Sequence, residues 1–479
     1  MEEQKTSEAP AAAPAKGKGM WIGVVVVAIV VIILLAAVFG GLFGAPPTEE
    51  PNQLRIGTLL SLTGRLSPFG PGNERGAKMA IGEINDAGGV FGRDVLAFHE
   101  DDATDPNTAR TKAEKLVTTD QVDAIVGATG SGQCLTALEV AKQNSVFMVS
   151  GSCTSPVFSD TATNGGWFAR TSPSDALQGT IAAYYARNES HLNLTNVAVI
   201  GTNDPYGQGL AGVFETNFER LGGNITIKRI IAPGLANYDT DLTAVMDTSP
   251  EAVYLASYPN EGLVLMAAWD VNPAWAATKW LFSEGLFDQT GFIDKLLDPN
   301  NDGDFSDGIS YTKVQTIEGS SPSAYGGVSG PRYAAWKTDY NQTWSTNPTL
   351  FDSNSYDAVY LLALAAEAAG DDTGTAIKSK IRDVANPPGV VVGPGDWALA
   401  KGLVANGTDV DYDGASGSLN IDANGDPLSG YLIWGVDNGN QTYNKVVWTE
   451  LEVDNLTPAP PARVGTRGGV EWALPARRD

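Results

Sequence analysis

The chain has 479 residues, of which 43% are hydrophobic and 18% are charged, as is typical of globular proteins. This length exceeds what one hydrophobic core supports, so two or three domains are expected. The formal net charge of −25 disfavours nucleic acid and anionic membrane surfaces as partners, because like charges repel.

The first predicted element is an uncharged apolar segment, residues 20–44, which is long enough to cross a bilayer as one helix. Two lysines precede it and two glutamates follow it, so the positive-inside rule predicts a cytoplasmic tail at 1–19 and an extracellular body. Residues 45–53 form a linker. A cleaved signal peptide is the alternative, although the apolar run is longer than a usual signal core. We expect a single-pass cell-membrane protein with an extracellular C-terminal domain.

If the body of the protein is extracellular, glycosylation and a disulfide bond are expected. Asn-x-Ser/Thr sequons predict a glycoprotein, although such triplets also arise by chance. They begin at Asn188, Asn193, Asn224, Asn341, Asn406, Asn440 and Asn455. The only two cysteines, Cys134 and Cys153, are expected to pair outside the cell, with two buried thiols as the alternative.

After the linker, the sequence predicts a strand at 54–62, a Gly/Pro-rich loop at 63–73, a helix at 74–85 and a strand at 94–99. Parallel sheets built from such strand–loop–helix–strand segments hold ligands in the loops at the carboxyl ends of their strands. The long loop at 63–73 is therefore a candidate part of a binding site.

The same alternation continues and predicts a doubly wound α/β architecture. Further strands are expected at 124–127, 146–150, 197–201, 252–257, 280–282 and 310–315. Helices are expected at 108–118, 134–143, 176–187, 207–221, 239–248, 261–271, 330–344 and 355–370. Beyond about residue 405 the pattern becomes strand-like, at 415–421, 430–436 and 441–450, before a C-terminal tail at 453–479.

Two loops after neighbouring apolar strands carry hydroxyl groups. The first, at 128–132, runs into a predicted helix whose unpaired N–H groups favour an anion, and Ser131 adds a donor. The alternative is that Ser131 only caps the helix. In the second loop, Thr154 can donate and accept, and the carbonyl of Ser152 can accept from an ammonium. Here the alternative is a simple Ser/Thr-rich turn.

Glu284 follows the apolar strand at 280–282, where that strand should open into a cleft. A partly desolvated carboxylate in that place would pair well with an ammonium group. The alternative is an acidic residue that satisfies the start of a helix.

The order and spacing of several motifs over residues 54–450 resemble those of branched-chain amino-acid receptors, the type I periplasmic binding proteins that serve ABC transporters. The motifs are DDATDP, AIVGATGSG, VSGSCTSPVFSD, FARTSPSD, NDPYGQGLA, YPNE, ANPPGVVVGPG and DYDGASGSLNIDANGD. The resemblance implies a clamshell of two lobes, each a doubly wound parallel sheet. It assigns 54–172 and 320–422 to lobe 1 and 173–319 and 428–452 to lobe 2. Crossovers are implied near 170–175, 312–321 and 420–430.

The resemblance also implies roles for individual residues. Ser131 and Thr154 match positions that hold a ligand α-carboxylate, and Glu284 and the Ser152 carbonyl match positions that meet its α-ammonium. Tyr206 and Tyr258 match tyrosines that close on the ligand from the second lobe. Further candidates for the pocket wall are Phe69, Thr129, Gly130, Cys153, Phe351 and Tyr356.

Residues 298–308 partly match a calcium-binding loop, with Asp298, Asn300, Asp302 and Asp304 at alternate positions. Ile309 occupies the place of the bidentate glutamate, so an acidic surface turn is the alternative, and no cofactor is expected. The sequence has only two histidines, and it lacks a hydrolase elbow, a zinc helix motif and a phosphate loop. These observations argue against an enzyme.

The sequence thus predicts an extracellular solute-binding protein that captures an amino acid with an apolar side chain and delivers it to a permease. One rival is the same fold bound to urea, an amide or another metabolite. Others are a ligand-sensing ectodomain and a structural surface protein.

Overall fold

The computed structural model of the protein describes residues 52–322, 330–437 and 440–448. In these residues strands and helices alternate and form two large sheets flanked by helices, which confirms the predicted α/β class. The predicted cytoplasmic tail at 1–19, the membrane segment at 20–44, most of the linker and the tail at 453–479 with Asn455 lie outside the described residues. In the part that is described, no helix combines the length and the apolar character needed to cross a membrane.

The first sheet has five parallel strands in the order β2-β1-β3-β4-β5. The strands are β1 Arg55–Leu60, β2 Leu96–Asp101, β3 Ala124–Gly127, β4 Phe147–Ser150 and β5 Phe168–Arg170. The helices between them are α1 Gly70–Asp86, α2 Pro106–Thr118, α3 Ser131–Gln143 and α4 Thr161–Asn164. All residues of β3 and β4 are buried, because apolar side chains pack on both faces of this sheet.

The chain then enters the second sheet with five parallel strands. These are β6 Asn196–Thr202, β7 Asn224–Ile231, β8 Ala252–Ala256, β9 Lys279–Phe282 and β10 Glu318–Pro322. The accompanying helices are α5 Asp175–Arg187, α6 Pro205–Arg220, α7 Asp239–Met246, α8 Pro259–Asp270, α9 Asp294–Leu297 and α10 Tyr311–Val314. A short 3-10 helix, Glu284–Leu286, follows β9 directly.

The last third of the chain packs helices against the first sheet and adds strands to the second. It contains α11 Gly330–Trp344, α12 Asp352–Ala369, α13 Gly374–Ala385, α14 Trp397–Ala405 and a small sheet of β11 Val390–Val392, β12 Val410–Gly414 and β13 Gly417–Ser418. α12 is buried over most of its length and packs on α1 in the core of the first sheet. β14 Tyr431–Asp437 and β15 Asn440–Trp448 then complete the second sheet in the order β15-β14-β10-β9-β8-β6-β7.

Two strand predictions are wrong near the places where the chain is expected to cross between the lobes. Residues predicted as a strand at 310–315 form α10, and the strand that follows is β10. β10 has a weakly apolar sequence and is a strand because it pairs with β9 on one side and β14 on the other. The predicted lobe boundary between 319 and 320 therefore falls within β10. The strand predicted at 415–421 shortens to β13 and an isolated bridge between Ile421 and Pro427.

Candidate functional site

The loops at the carboxyl ends of strands in both sheets face a common cleft. One wall consists of Leu66, Phe69, Thr129, Ser131, Ser152 and Thr154. Leu350 and Phe351, from the segment that leads into α12, belong to the same side, and the other wall consists of Tyr206, Tyr258, Glu284 and Gly285. The residues predicted to bind both ends of an amino acid are thus brought together between the two sheets.

One end of the cleft is the start of α3. Ser131 is the first residue of this helix, and the N-cap is Gly130, so no side chain caps the first-turn N–H groups. The Ser131 hydroxyl accepts a hydrogen bond from the backbone N–H of Ser155 at 3.3 Å. Ser131 is therefore not the helix cap, which was the alternative reading of the sequence. The uncapped N–H groups and the helix dipole make this end of the cleft suitable for an anion.

The loop after β4 is fixed beside the start of α3 by covalent and hydrogen bonds. A disulfide joins Cys134 in α3 to Cys153 in the loop, with 6.5 Å between their Cα atoms. The Ser152 hydroxyl donates to the carbonyl of Thr129, which links the loops after β4 and β3 directly. Cys153 itself does not line the cleft, because its side chain is turned into this disulfide. The hydroxyl-bearing loops thus form one connected surface.

Glu284 lies on the facing wall of the cleft, directly after β9, with only 2% of its surface exposed. Its carboxylate accepts a hydrogen bond from Gln178 Nε2, and its Oε1 lies 3.5 Å from Thr154 Oγ1 across the cleft. Burial raises the pKa of Glu284 to about 7, although polar contacts with Tyr206, Gln178 and Thr154 oppose the rise.

No lysine or arginine among the described residues forms an ion pair with Glu284. A buried carboxylate without a cationic partner is costly unless a ligand supplies the positive charge. An ammonium group placed here would meet the carboxylate in a largely desolvated setting, where a charge-assisted hydrogen bond is strong. The position of Glu284 therefore favours a cationic group at this end of the ligand.

Two tyrosines form the wall next to Glu284. The rings of Tyr206 and Tyr258 lie 5.0 Å apart, and both residues are at least 92% buried. The Tyr206 hydroxyl donates to Ser283 Oγ at 2.7 Å and accepts from the backbone N–H of Gly285 at 3.3 Å. These bonds fix the ring of Tyr206 and the backbone around Glu284 in one arrangement.

The remaining part of the cleft is apolar. Leu66, Phe69, Leu350 and Phe351 line it, and none of them is more than 8% exposed. Phe351 has φ of 69° and ψ of 9°, a left-handed conformation that strains a bulky residue. These four side chains offer an apolar environment of modest size, which suits an aliphatic or small aromatic group.

Besides Cys153, two predicted pocket residues lie elsewhere. Tyr356 is five residues beyond Phe351, and the turn of α12 directs its ring away from the cleft, where its hydroxyl donates to Glu83 and its ring stacks on Tyr360. The expectation that Tyr356 walls the pocket is therefore wrong. Gly130 does not line the cleft; it is the N-cap of α3, and a Cβ there would meet the side-chain ends of Gln133 and Leu66.

The predicted calcium loop is folded on itself. Asp298 accepts from the N–H groups of Asp302 and Gly303, and Asp302 and Asp304 accept from N–H groups two residues ahead. Across the described residues, no group of three or more His, Cys, Asp or Glu side chains is arranged to hold a metal ion.

Several residues at the cleft were not identified from the sequence. Leu66, Gly285 and Leu350 line it, and Asp175 and Gln178 lie directly behind Thr154 and Glu284. Asp175 could have been suspected from the Ser-Asp pair that begins α5, since Ser174 caps that helix and Asp175 is its first residue. Nothing in the sequence indicates that this acidic group is turned into the protein.

Arg65 was also missed, and it connects the two walls at the mouth of the cleft. It lies in the loop after β1, and its guanidinium is 3.3 Å from Asp204 and 3.4 Å from Glu261, both on the second lobe. The same group lies over the ring of Tyr258, 5.1 Å from its centroid. The side chain of Glu261 is fully buried, and that of Arg65 is only 18% exposed. These contacts hold the walls together.

We expect Arg65→Ala to weaken ligand binding by about tenfold, mainly through faster release, because two partly buried ion pairs and a cation–π contact are lost from the closed form. The difference from the unchanged protein should shrink at high salt, which screens these charges. Stopped-flow dissociation at two salt concentrations measures both effects. Arg110→Ala, which removes an exposed arginine of α2, is the control. Equal release rates for the two variants would contradict the prediction.

A family model described as "Periplasmic binding protein" matches residues 53–270. A chemotactic signal transduction system substrate-binding protein, BasB, of Halobacterium salinarum is 26% identical over 391 residues, which is 79% of this chain and 86% of that protein. A Leu/Ile/Val-binding protein homolog of Brucella abortus is 26% identical over 392 residues, 80% of this chain and 90% of the relative.

Solved structures share the fold. A leucine-binding protein, LivK, from Thermotoga maritima superposes with a TM-score of 0.67 at 22% identity, covering 83% of this chain and 99% of the other. A solute-binding protein of an ABC transporter from R. palustris in complex with benzoate superposes with a TM-score of 0.64 at 16% identity, covering 82% and 95%. The fold is therefore shared by a protein described as leucine-binding and by one solved in complex with benzoate.

Proposed function

Because this chain belongs to the type I periplasmic binding proteins of the branched-chain amino-acid family, we propose that it captures a free amino acid with an apolar side chain. The single observation that carries this proposal is Glu284, a buried carboxylate with no cationic partner among the described residues. It faces a helix start and two hydroxyl-bearing loops on the other side of the cleft. This arrangement is complementary to a zwitterion.

In the proposed complex, the ligand carboxylate meets Ser131, Thr154 and the first-turn N–H groups of α3. The ammonium meets Glu284 and the carbonyl of Ser152, and the side chain enters the space among Leu66, Phe69, Leu350 and Phe351. A micromolar dissociation constant corresponds to about −8 kcal/mol. One desolvated charge pair, several charge-assisted hydrogen bonds and burial of a small aliphatic group are sufficient for that value.

The lobes enclose the ligand because several of its contacts are made only when both walls are close. Ligand binding therefore shifts the population toward the closed form. We further propose that residues 20–44 tether the protein to the cell membrane with the two lobes outside. There the closed form delivers its ligand, chemically unchanged, to the permease of an ABC transporter.

Sensing is a second candidate function for the same amino-acid site. A relative that covers most of this chain bears a name from chemotactic signal transduction. In that case the closed form would bind a membrane-embedded signalling partner instead of a permease. Copurification of the membrane-bound full chain with its membrane partner distinguishes transport from sensing, because a permease and a signalling receptor differ in mass and topology.

The ligand proposal is tested with molecules that differ by one charged group. Leucine, 4-methylpentanoate, which lacks the ammonium, and isoamylamine, which lacks the carboxylate, are added to the purified full chain in detergent, and the melting temperature is measured. We expect a rise only with the zwitterion, since a ligand at about 100 times its Kd stabilises the folded state by about 2.7 kcal/mol. A rise with benzoate and none with any amino acid would reject the proposal.

A further inference from the structure

A second carboxyl group lies behind the cleft, next to Thr154. Asp175, the first residue of α5, is fully buried and does not line the cavity. Its backbone N–H donates to the carbonyl of Thr154 at 2.9 Å, and its Oδ2 lies 3.0 Å from Thr154 Oγ1. Asp175 therefore contacts both the backbone and the hydroxyl of a residue that faces the ligand.

The hydroxyl of Thr154 has one proton but two carboxyl neighbours, Asp175 Oδ2 at 3.0 Å and Glu284 Oε1 at 3.5 Å. An ionised carboxylate only accepts hydrogen bonds, so two ionised groups would compete for this proton. Asp175 Oδ1 has no hydrogen-bond partner in the described part of the chain. An ionised Asp175 would thus be fully buried and poorly satisfied, which is a costly state.

We propose that Asp175 is a positioning residue that remains protonated and donates its proton to Thr154 Oγ1. The Thr154 hydroxyl, which then accepts from behind, must direct its own proton into the cleft. This inference rests on the proposed function and deepens it, because the ligand carboxylate is received by a hydroxyl donor whose direction is fixed before the ligand arrives. Asp175 itself does not touch the ligand.

The surroundings of Asp175 support the protonated form. Burial raises its pKa well above the usual value, and the charge of Glu284 raises it further, whereas Arg170 and the Thr154 hydroxyl lower it. Arg170 makes no hydrogen bond to Asp175, because its N–H groups donate to Asp426, Ser159 and the carbonyls of Cys153 and Ser155. The other titratable groups near this pair are Asp204, Tyr206, Tyr254, Tyr258 and Tyr431. The dipole of α5 favours ionisation, but full burial opposes it.

Protonation of Asp175 has a consequence for the pH dependence of binding. Above the pKa of Asp175 its carboxylate would accept the Thr154 proton and turn it away from the ligand, so affinity should fall as pH rises. Below the pKa of Glu284 that residue loses its charge, so affinity should fall as pH decreases. Because the proposal requires Asp175 to keep its proton while Glu284 is ionised, affinity is expected to pass through a maximum, with a different residue responsible for each side.

The test compares Asp175→Ala and Asp175→Asn with the unchanged full chain. Calorimetry measures Kd for the amino acid that binds best, over the pH range in which all three remain folded. Alanine removes the donor to Thr154 and should weaken binding by about tenfold. Asparagine restores an N–H donor at the same place and should recover binding to within about threefold. Asp86→Asn, an exposed change at the end of α1, is the control.

The pH profile separates positioning from a merely structural role. With Asn at position 175, the weakening at high pH should be lost and the weakening at low pH retained. At each pH, the Kd of Asp175→Asn is divided by the Kd of the unchanged protein. Titration of the ligand's own ammonium affects both values equally and so cancels in this ratio. A loss of affinity in Asp175→Asn as large as that in Asp175→Ala, or an unchanged ratio at all pH values, would overturn the inference. If Asp175→Asn does not fold, the unchanged protein alone decides. An affinity that falls at high pH more steeply than titration of the ligand predicts supports the inference, and an affinity that follows ligand titration overturns it.

These outcomes remain distinct from failure of the proposed function. If no amino acid binds the unchanged protein at any pH, the proposed function fails. If an amino acid binds and responds to Glu284 but asparagine at position 175 does not recover binding, only the inference fails.

Discussion

Glu284→Gln is expected to weaken binding of the preferred amino acid by about a hundredfold or more. The substitution keeps the size of the side chain and one hydrogen-bond acceptor, but it removes the negative charge that faces the ligand ammonium. A hydrogen bond to a charged group contributes about 1.5–3 kcal/mol, and more is lost when the ammonium remains desolvated without a partner. Isothermal titration calorimetry of the full chain measures the change.

The control for this prediction is Glu83→Gln. Glu83 accepts hydrogen bonds from Tyr356 and Tyr360, remote from the cleft, so its substitution tests a general effect of losing a partly buried glutamate. The melting temperature of ligand-free Glu284→Gln should be equal to or above that of the unchanged protein, because a buried charge has been removed. Amino-acid affinity within threefold of wild type would show that the ammonium is held elsewhere.

Arg170→Ala is expected to lower the free energy of unfolding by about 3–5 kcal/mol. The side chain of Arg170 is fully buried at the end of β5. It donates to Asp426 at 2.7 Å and to the Cys153 carbonyl, the Ser155 carbonyl and Ser159 Oγ at 2.9 Å each. Alanine leaves these acceptors without a donor, so both the packing and the polar network are lost.

Urea denaturation of the full chain, monitored by circular dichroism, measures this loss. The matched control is Arg332→Ala, because Arg332 is 31% exposed and pairs with the partly exposed Asp396 and Asp413. Such pairs contribute about 0–1 kcal/mol. Similar midpoints for the two variants would mean that the network around Arg170 does not stabilise the junction between the lobes.

Much of the architecture could be predicted because the strands that form the sheet centres are short, continuous apolar runs. β3, β8 and β9 begin or end within a residue or two of their predicted bounds. β10 could not be predicted in this way, because its Gly-Ser-Ser segment has no apolar pattern and becomes a strand through its neighbours. Tertiary pairing overrides local preference there.

The residues of the candidate site also divide into those that local sequence predicts and those that depend on tertiary contacts. Ser131, Thr154 and Glu284 could be predicted because each follows a predicted strand, and the carboxyl ends of parallel strands meet at one edge. Arg65 and Gln178 could not, because their partners are distant in sequence. Gln178 donates to a residue 106 positions away, and Arg65 pairs with one 139 positions away. No local pattern reports such contacts.

The covalent link between Cys134 and Cys153 has a consequence for the energetics of recognition. It joins the helix start that carries Ser131 to the turn that carries Thr154, so these donors move as one rigid body. Little conformational freedom is then left for the ligand to restrict, and more of the contact energy is expressed as affinity. Ligand affinity is therefore expected to fall when this disulfide is reduced.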